Sequence, residues 1–150
     1  ARLVAPDDPA LAAQLARLYL AAARPLAAGQ ILQIAAESDA SLMADAAECY
    51  RLAGDLDRAL RANAQVQDPV MKTRQRLGLL LQGEHWERAV ALQDRAARLG
   101  LLEEDEVRYG LAYAWFMLGA YEEADELLSG IRDPRIFEDA TTLRQAMQES

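Results

Sequence analysis

Three stretches of this 150-residue chain repeat one pattern at intervals of about one helical hairpin. Ala53-Gly54-Asp55-Leu56-Asp57-Arg58-Ala59, Gln82-Gly83-Glu84-His85-Trp86-Glu87-Arg88-Ala89 and Leu118-Gly119-Ala120-Tyr121-Glu122-Glu123-Ala124 each end an apolar-periodic segment on Gly and place an Ala five or six residues later. A repeat of this kind constrains the fold before any other feature, because one unit buries its apolar face only against its neighbours. Gly adopts the left-handed conformation that closes a helix, and a small Ala in the next helix lets two antiparallel helices approach closely. Gly, large residue, Ala is thus a packing device for a helix-turn-helix unit.

A second device marks where each unit starts. Asp8-Pro9, Asp68-Pro69 and Asp133-Pro134 precede runs of helix formers, with Asp suited to cap the first free amides and Pro to the first helical position. Ser38 or Asp39, and one of Glu103 to Asp105, fall where two further starts belong. Starts near 9, 40, 69, 104 and 134 are spaced by roughly 30 to 35 residues, the span of one helix pair. Leu11, Leu15, Leu18 and Tyr19 share one helical face, as do Leu42, Met43, Ala46, Ala47 and Tyr50, and Tyr121, Ala124, Leu127, Leu128 and Ile131. No stretch alternates apolar and polar residues over strand length, so the expectation is an all-α fold. Its units are about 9–38, 39–68, 69–103 and 104–133, followed by a terminal helix over 134–148.

The turns Gly54 to Ala59 and Gly119 to Ala124, with Tyr50 and Trp115 four residues before each Gly, resemble tetratricopeptide (TPR) repeats. The likeness extends over essentially the whole chain and is clearest at Leu111, Ala112, Trp115, Gly119, Tyr121, Ala124, Leu128 and Pro134. It implies a right-handed superhelical solenoid of antiparallel helix pairs whose concave face, lined by each first helix, binds peptides or partner proteins. Three departures stand out: Ala23 replaces the usual Gly and Pro25 opens the following helix; one extra residue separates Gly83 from Trp86 and Ala89; Asn63 occupies a place that is usually large and apolar.

The same resemblance implies which residues line the groove: Arg17, Leu20 and Ala21; Glu48, Arg51 and Leu52; Arg74, Gly78, Leu81 and Gln82; Tyr109, Tyr113, Phe116 and Met117. The last four recur at intervals of three and four and form a stripe suited to apolar anchors of a partner. Arg51 and Arg74 are candidates to pair acids or a carboxylate terminus. The alternative is that Phe116 and one Tyr pack inside while Arg51 and Arg74 are solvated.

Charge and composition narrow the function classes. Residues 51–98 carry nine basic and six acidic side chains, whereas 99–150 carry four and twelve. A net charge of −8 opposes nonspecific nucleic-acid binding, which needs a positive footprint. The run Glu103-Glu104-Asp105-Glu106 reads as acids favouring a helix N-terminus or as a docking point for a basic partner. Cys49 is the single cysteine and reads as a buried inert thiol. His85 is the single histidine, and no nucleophile and orienting acid converge on it in sequence, so no catalytic residue, metal or cofactor is expected. No apolar run approaches a membrane span and no cleavable signal pattern opens the chain. Beginning at Ala1 and ending on half a repeat, it reads as a fragment of a longer protein. The single Lys72 beside abundant Arg and Ala suggests a bacterial, GC-rich genome.

The expected function is a noncatalytic scaffold that recruits a partner protein. Divergent Ala- and Arg-rich repeats are similar to the TPR regions of bacterial exopolysaccharide-export proteins, which implies a periplasmic location and a polysaccharide-modifying enzyme as partner. A cytoplasmic adaptor and a carbohydrate-binding or spacer module are the alternatives. The terminal helix, with Ile136, Phe137, Ala140, Leu143 and Met147 on one side, either covers the end of the array or supports self-association.

Overall fold

The computed structural model describes residues 6–150, and every regular element among them is helical. They are α1 (Pro9–Ala21), α2 (Pro25–Ala35), α3 (Met43–Leu52), α4 (Leu56–Ala64), α5 (Pro69–Gln82), α6 (Trp86–Val90), α7 (Gln93–Arg98), α8 (Asp105–Met117), α9 (Tyr121–Leu128) and α10 (Pro134–Gln148), with short 3-10 turns at Ala40–Leu42 and Leu101–Glu103. The chain forms two compact units, Ala1–Leu79 and Leu80–Ser150, and the division falls inside α5.

Helix starts follow the acid-cap logic. The Asp8 carboxylate accepts from the amide of Ala10 at 2.9 Å, Asp68 from Val70 and Met71 at 2.9 and 3.0 Å, and Asp133 from Arg135 at 2.9 Å. Of Ser38 and Asp39, it is Asp39 that caps, accepting from both the amide and the hydroxyl of Ser41. The acid run after the 3-10 turn works differently. Glu104 makes no side-chain cap, and Asp105 instead accepts from the amides of Arg132 and Asp133 at 3.1 and 2.7 Å. It thereby ties the start of α8 to the segment that leads into α10.

The turns share one geometry. In each of α1–α2, α3–α4, α5–α6 and α8–α9 a single residue has positive φ: Ala23 at 57°, Gly54 at 75°, Glu84 at 57° and Gly119 at 79°. Its amide bonds to the carbonyl three residues back: Leu20, Arg51, Leu81 and Phe116 accept at 2.9 to 3.1 Å. The following amide reaches five residues back, so that Tyr19, Tyr50, Leu80 and Trp115 accept at 2.8 to 3.0 Å. This is the Schellman closure, which satisfies carbonyls that a helix end leaves unpaired. Five residues after each left-handed residue stands an Ala with no exposed surface: Ala28, Ala59, Ala89 and Ala124.

The extra residue expected in the third turn is therefore not an insertion. Glu84, not Gly83, occupies the left-handed position, and the spacing to Trp86 and Ala89 equals that of the other turns. The second helix of the third pair differs in another respect. It breaks at Ala91–Leu92, where the amide of Leu92 bonds three residues back to Ala89 at 3.1 Å, giving α6 and α7 in place of one helix. The bend sets Gln93 where its side-chain oxygen Oε1 accepts the Trp115 indole N–H at 2.7 Å.

In the first unit the core is made largely of small residues. Ala16, Ala28, Leu32, Ala46 and Cys49 form one cluster, and Ala47, Tyr50, Ala59, Ala62 and Leu79 another. Gly29 lets α2 come against α3, since a Cβ there would lie 2.8 Å from the Tyr50 ring, and the Tyr50 hydroxyl donates to the Gln33 side chain. Asn63 is fully buried because it is polar for a purpose. Its amide donates at 3.0 Å to the Lys72 carbonyl and at 3.0 Å to the Gln75 side chain, which donates in turn to the Ala44 carbonyl at 2.8 Å. A large apolar residue there would leave those acceptors unmet, at about 1–3 kcal/mol.

In the second unit Arg108 acts as a clamp. Its guanidinium donates to the carbonyls of Leu127, Leu102 and Glu126 at 2.9, 3.3 and 3.4 Å, and a Cβ on Gly130 would collide with it at 2.3 Å. The helix α10 buries Ala140 and Leu143, and Arg144 bonds Asp125 of α9 at 2.8 Å. Phe137 is left more than half exposed.

A non-Gly residue in the left-handed region costs about 1–2 kcal/mol, partly offset by the greater chain entropy that Gly loses. Ala23→Gly and Glu84→Gly are each expected to stabilise the protein by about 0.5–1 kcal/mol, read as a rise of about 2 °C in Tm by circular dichroism. Loss of stability in either variant contradicts the turn assignment.

Candidate partner-binding site

Helical phase puts Tyr109, Tyr113 and Phe116 on one side of α8, opposite the buried Val107, Leu111 and Ala114. Their rings touch in sequence: Tyr109 to Tyr113 with centroids 6.4 Å apart, and Tyr113 to Phe116 at 6.2 Å. Two more rings join from neighbouring helices. Trp86, the first residue of α6, meets Tyr113 edge-on at 5.6 Å, and Tyr121, the first residue of α9, stacks on Phe116 at 5.6 Å with 21° between planes. Each such pair contributes about 0.5–1.5 kcal/mol beyond area burial.

The cluster is neither core nor free surface. Tyr113 and Met117 are 37% and 43% exposed, and Trp86, Tyr109, Phe116 and Tyr121 are half-buried. Burial, with the charge of Asp139 and the neighbouring Tyr113 adding to it, pushes the Tyr109 phenol above its usual range. Its ring stays neutral at physiological pH.

The remaining sequence-derived groove residues are distributed over both units. Arg17, Glu48, Arg51 and Arg74 lie in the first, and Gln82 joins Tyr109, Tyr113, Phe116 and Met117 in the second. Arg17 and Arg74 are exposed on α1 and α5, and Gln82 is exposed at the end of α5. Glu48 and Arg51 answer one another: Arg51 donates through Nη2 and Nε to the two Glu48 oxygens at 2.6 and 2.8 Å, and that bond raises the Arg51 pKa further. The carboxylate that engages Arg51 is thus its own helix neighbour.

Trp86 and Tyr121 were not among the sequence candidates. The available signal was their shared position, two residues after a left-handed turn residue, where the first unit has Pro25 and Leu56. Trp115, next to the cluster ring Phe116 in sequence, turns to Gln93 instead.

Other reactive groups are accounted for singly. Cys49 is buried, and desolvation, with Asp45 and Glu48 adding to it, pushes its thiol up to about 11. His85 is exposed as the residue before α6, and its side chain makes no cap bond. Among the described residues no group of three or more His, Cys, Asp or Glu is placed to hold a metal, and no helix is long and apolar enough to cross a membrane.

No protein-family model matches the chain, and no curated protein matches it. The described residues define an all-α protein.

The raised thiol sets a pH dependence. Between about pH 9 and 11 unfolded Cys49 has released its proton while the folded form retains it, so stability falls as pH rises through that window. The Tyr50 phenol, also raised mainly by burial, acts in the same direction. Urea unfolding at pH 8 and pH 10.5 is expected to give a lower unfolding free energy at the higher pH, with a smaller drop in Cys49→Ala. Native Cys49 is expected to resist maleimide at neutral pH and to react once unfolded; rapid native labelling contradicts the buried placement.

Proposed function

We propose that this chain is a noncatalytic TPR-like scaffold that recruits a protein partner into a multiprotein assembly. In this reading the helix pairs stack as a right-handed superhelical solenoid, and Tyr109, Tyr113, Phe116 and Met117 form the centre of the partner-binding face. The observation that carries it is the five-ring cluster on α6, α8 and α9, which keeps Tyr113 and Met117 exposed. Rigid, half-exposed aromatic side chains cost little entropy on binding and are the usual energetic centres of protein interfaces. Four turns of one geometry support a repeat architecture, since each fixes the same offset between successive helices. The wider setting rests on the family resemblance: a periplasmic exopolysaccharide-export assembly, with a polysaccharide-modifying enzyme as the partner.

The test is capture from an extract of the source organism with the full chain as bait, beside a Tyr109→Ala, Tyr113→Ala double variant whose helicity is checked by circular dichroism. A partner held by the original chain and weakened at least tenfold in the double variant is expected. Equal capture by both removes the α8 face from the binding surface. Recovery of cytoplasmic proteins alone contradicts the export setting and leaves the scaffold role standing.

A further inference from the structure

Charge divides between the two units without remainder. Residues 1–79 carry nine basic and nine acidic side chains, and residues 80–150 carry seven and fifteen, so the whole net charge of −8 belongs to the unit that holds the aromatic cluster. Exposed acids neighbour the ring residues along the chain. Glu106 is exposed in the first turn of α8, three residues before Tyr109 and so its neighbour on the helix surface. Glu84 and Glu87 flank Trp86, Glu122 follows Tyr121, and Asp139 acts electrostatically on Tyr109; all four are exposed. Two cations of this unit are held by other carboxylates: Arg135 bonds Asp133 at 2.9 Å and Arg144 bonds Asp125 at 2.8 Å. Arg135 feels the charge of Glu106, but its guanidinium is held by Asp133. Arg88 stands about half a helical turn from Trp86 on α6.

Resting on the scaffold reading above, we propose that the α8 face takes a cationic segment of its partner, with Arg or Lys side chains laid over the exposed rings and paired to the acidic rim. Aromatic faces attract guanidinium and ammonium groups, and a ring of carboxylates steers and orients them. The same charge disfavours the other occupants. An acidic segment or a nucleic-acid backbone is repelled, and a second copy would bring like charge to like charge. An uncharged apolar segment would leave the rim without a counterpart.

The test titrates the full chain against a fluorescein-labelled peptide of alternating arginine and leucine, and against the same peptide with glutamine or glutamate at every arginine, by fluorescence anisotropy. The arginine peptide is expected to bind at least tenfold more tightly than the glutamine peptide, and the glutamate peptide not at all. Tyr113→Ala, which leaves net charge unchanged, is expected to weaken the arginine peptide about tenfold and Glu106→Gln about threefold. The double change Glu123→Gln, Glu126→Gln removes two exposed acids from the side of α9 away from Tyr121 and is expected to have less effect than Glu106→Gln. Loss on that control as large as on Glu106→Gln, with no effect of Tyr113→Ala, overturns the proposal as diffuse charge attraction. Equal binding of arginine and glutamine peptides, both lost in Tyr113→Ala, also overturns it but keeps the aromatic face as a protein site. Absence of any Tyr113-dependent binding, here and in the capture experiment, removes both.

Discussion

Four helix pairs, α1–α2, α3–α4, α5–α6 and α8–α9, each turn on one backbone residue held in the left-handed region. That conformation ends the first helix, lets two successive amides return to carbonyls three and five residues back, and releases the chain into the next helix after a single linking residue. The consequence reaches well past the turn. With the geometry fixed, the fifth residue onward always meets the preceding helix at close range, and only Ala stands there: Ala28, Ala59, Ala89 and Ala124 are wholly buried. Gly54 and Gly119 take the conformation without steric cost, whereas Ala23 and Glu84 bear it. That two of the four positions tolerate a side chain shows the tertiary contacts around the turn outweighing a local penalty of about 1–2 kcal/mol.

The same constraint builds the candidate site. The second residue after the left-handed position begins the next helix, close to the end of the one before. In the second unit those residues are Trp86 and Tyr121, and they reach Tyr113 and Phe116 of α8. A stripe of three aromatic residues on one helix thus becomes a five-ring surface. Side chains packed ring to ring are preorganised, so a partner that docks on them loses little further freedom. Arg108 ties α8 to the end of α9, and Asp105 ties it to the segment that leads into α10.

Much of this was legible in the sequence, for reasons that are local. Helix starts at Pro9, Pro69 and Pro134 follow from an Asp cap before a Pro, which needs no tertiary information. Apolar periodicity gave the buried faces of α3 and α9. The third turn misled because Gly83 advertises the left-handed position while Glu84 occupies it, and only the positions of Trp86 and Ala89 reveal the true register. Asn63 read as a departure from an apolar norm because its partners lie 9 and 12 residues away on α5. The break at Ala91–Leu92 and the Trp115–Gln93 bond are likewise products of packing. For the site, the α8 stripe was visible from its own spacing, whereas Trp86 and Tyr121 enter from other helices and escape a one-helix reading. The Arg51–Glu48 pair is an i,i+3 contact that the spacing permits but only the side-chain rotamers decide.

The central claim is that four turns share one left-handed closure irrespective of whether Gly is present. The most direct measurement is the backbone φ of Ala23 and Glu84 in solution, from intraresidue amide-to-Hα Overhauser intensities and three-bond couplings in isotopically labelled protein. Positive φ at both residues, matching Gly54 and Gly119, is the result this account predicts. A helical φ at Glu84, with the left-handed residue moved to Gly83, would contradict it and would restore an inserted residue to the third turn.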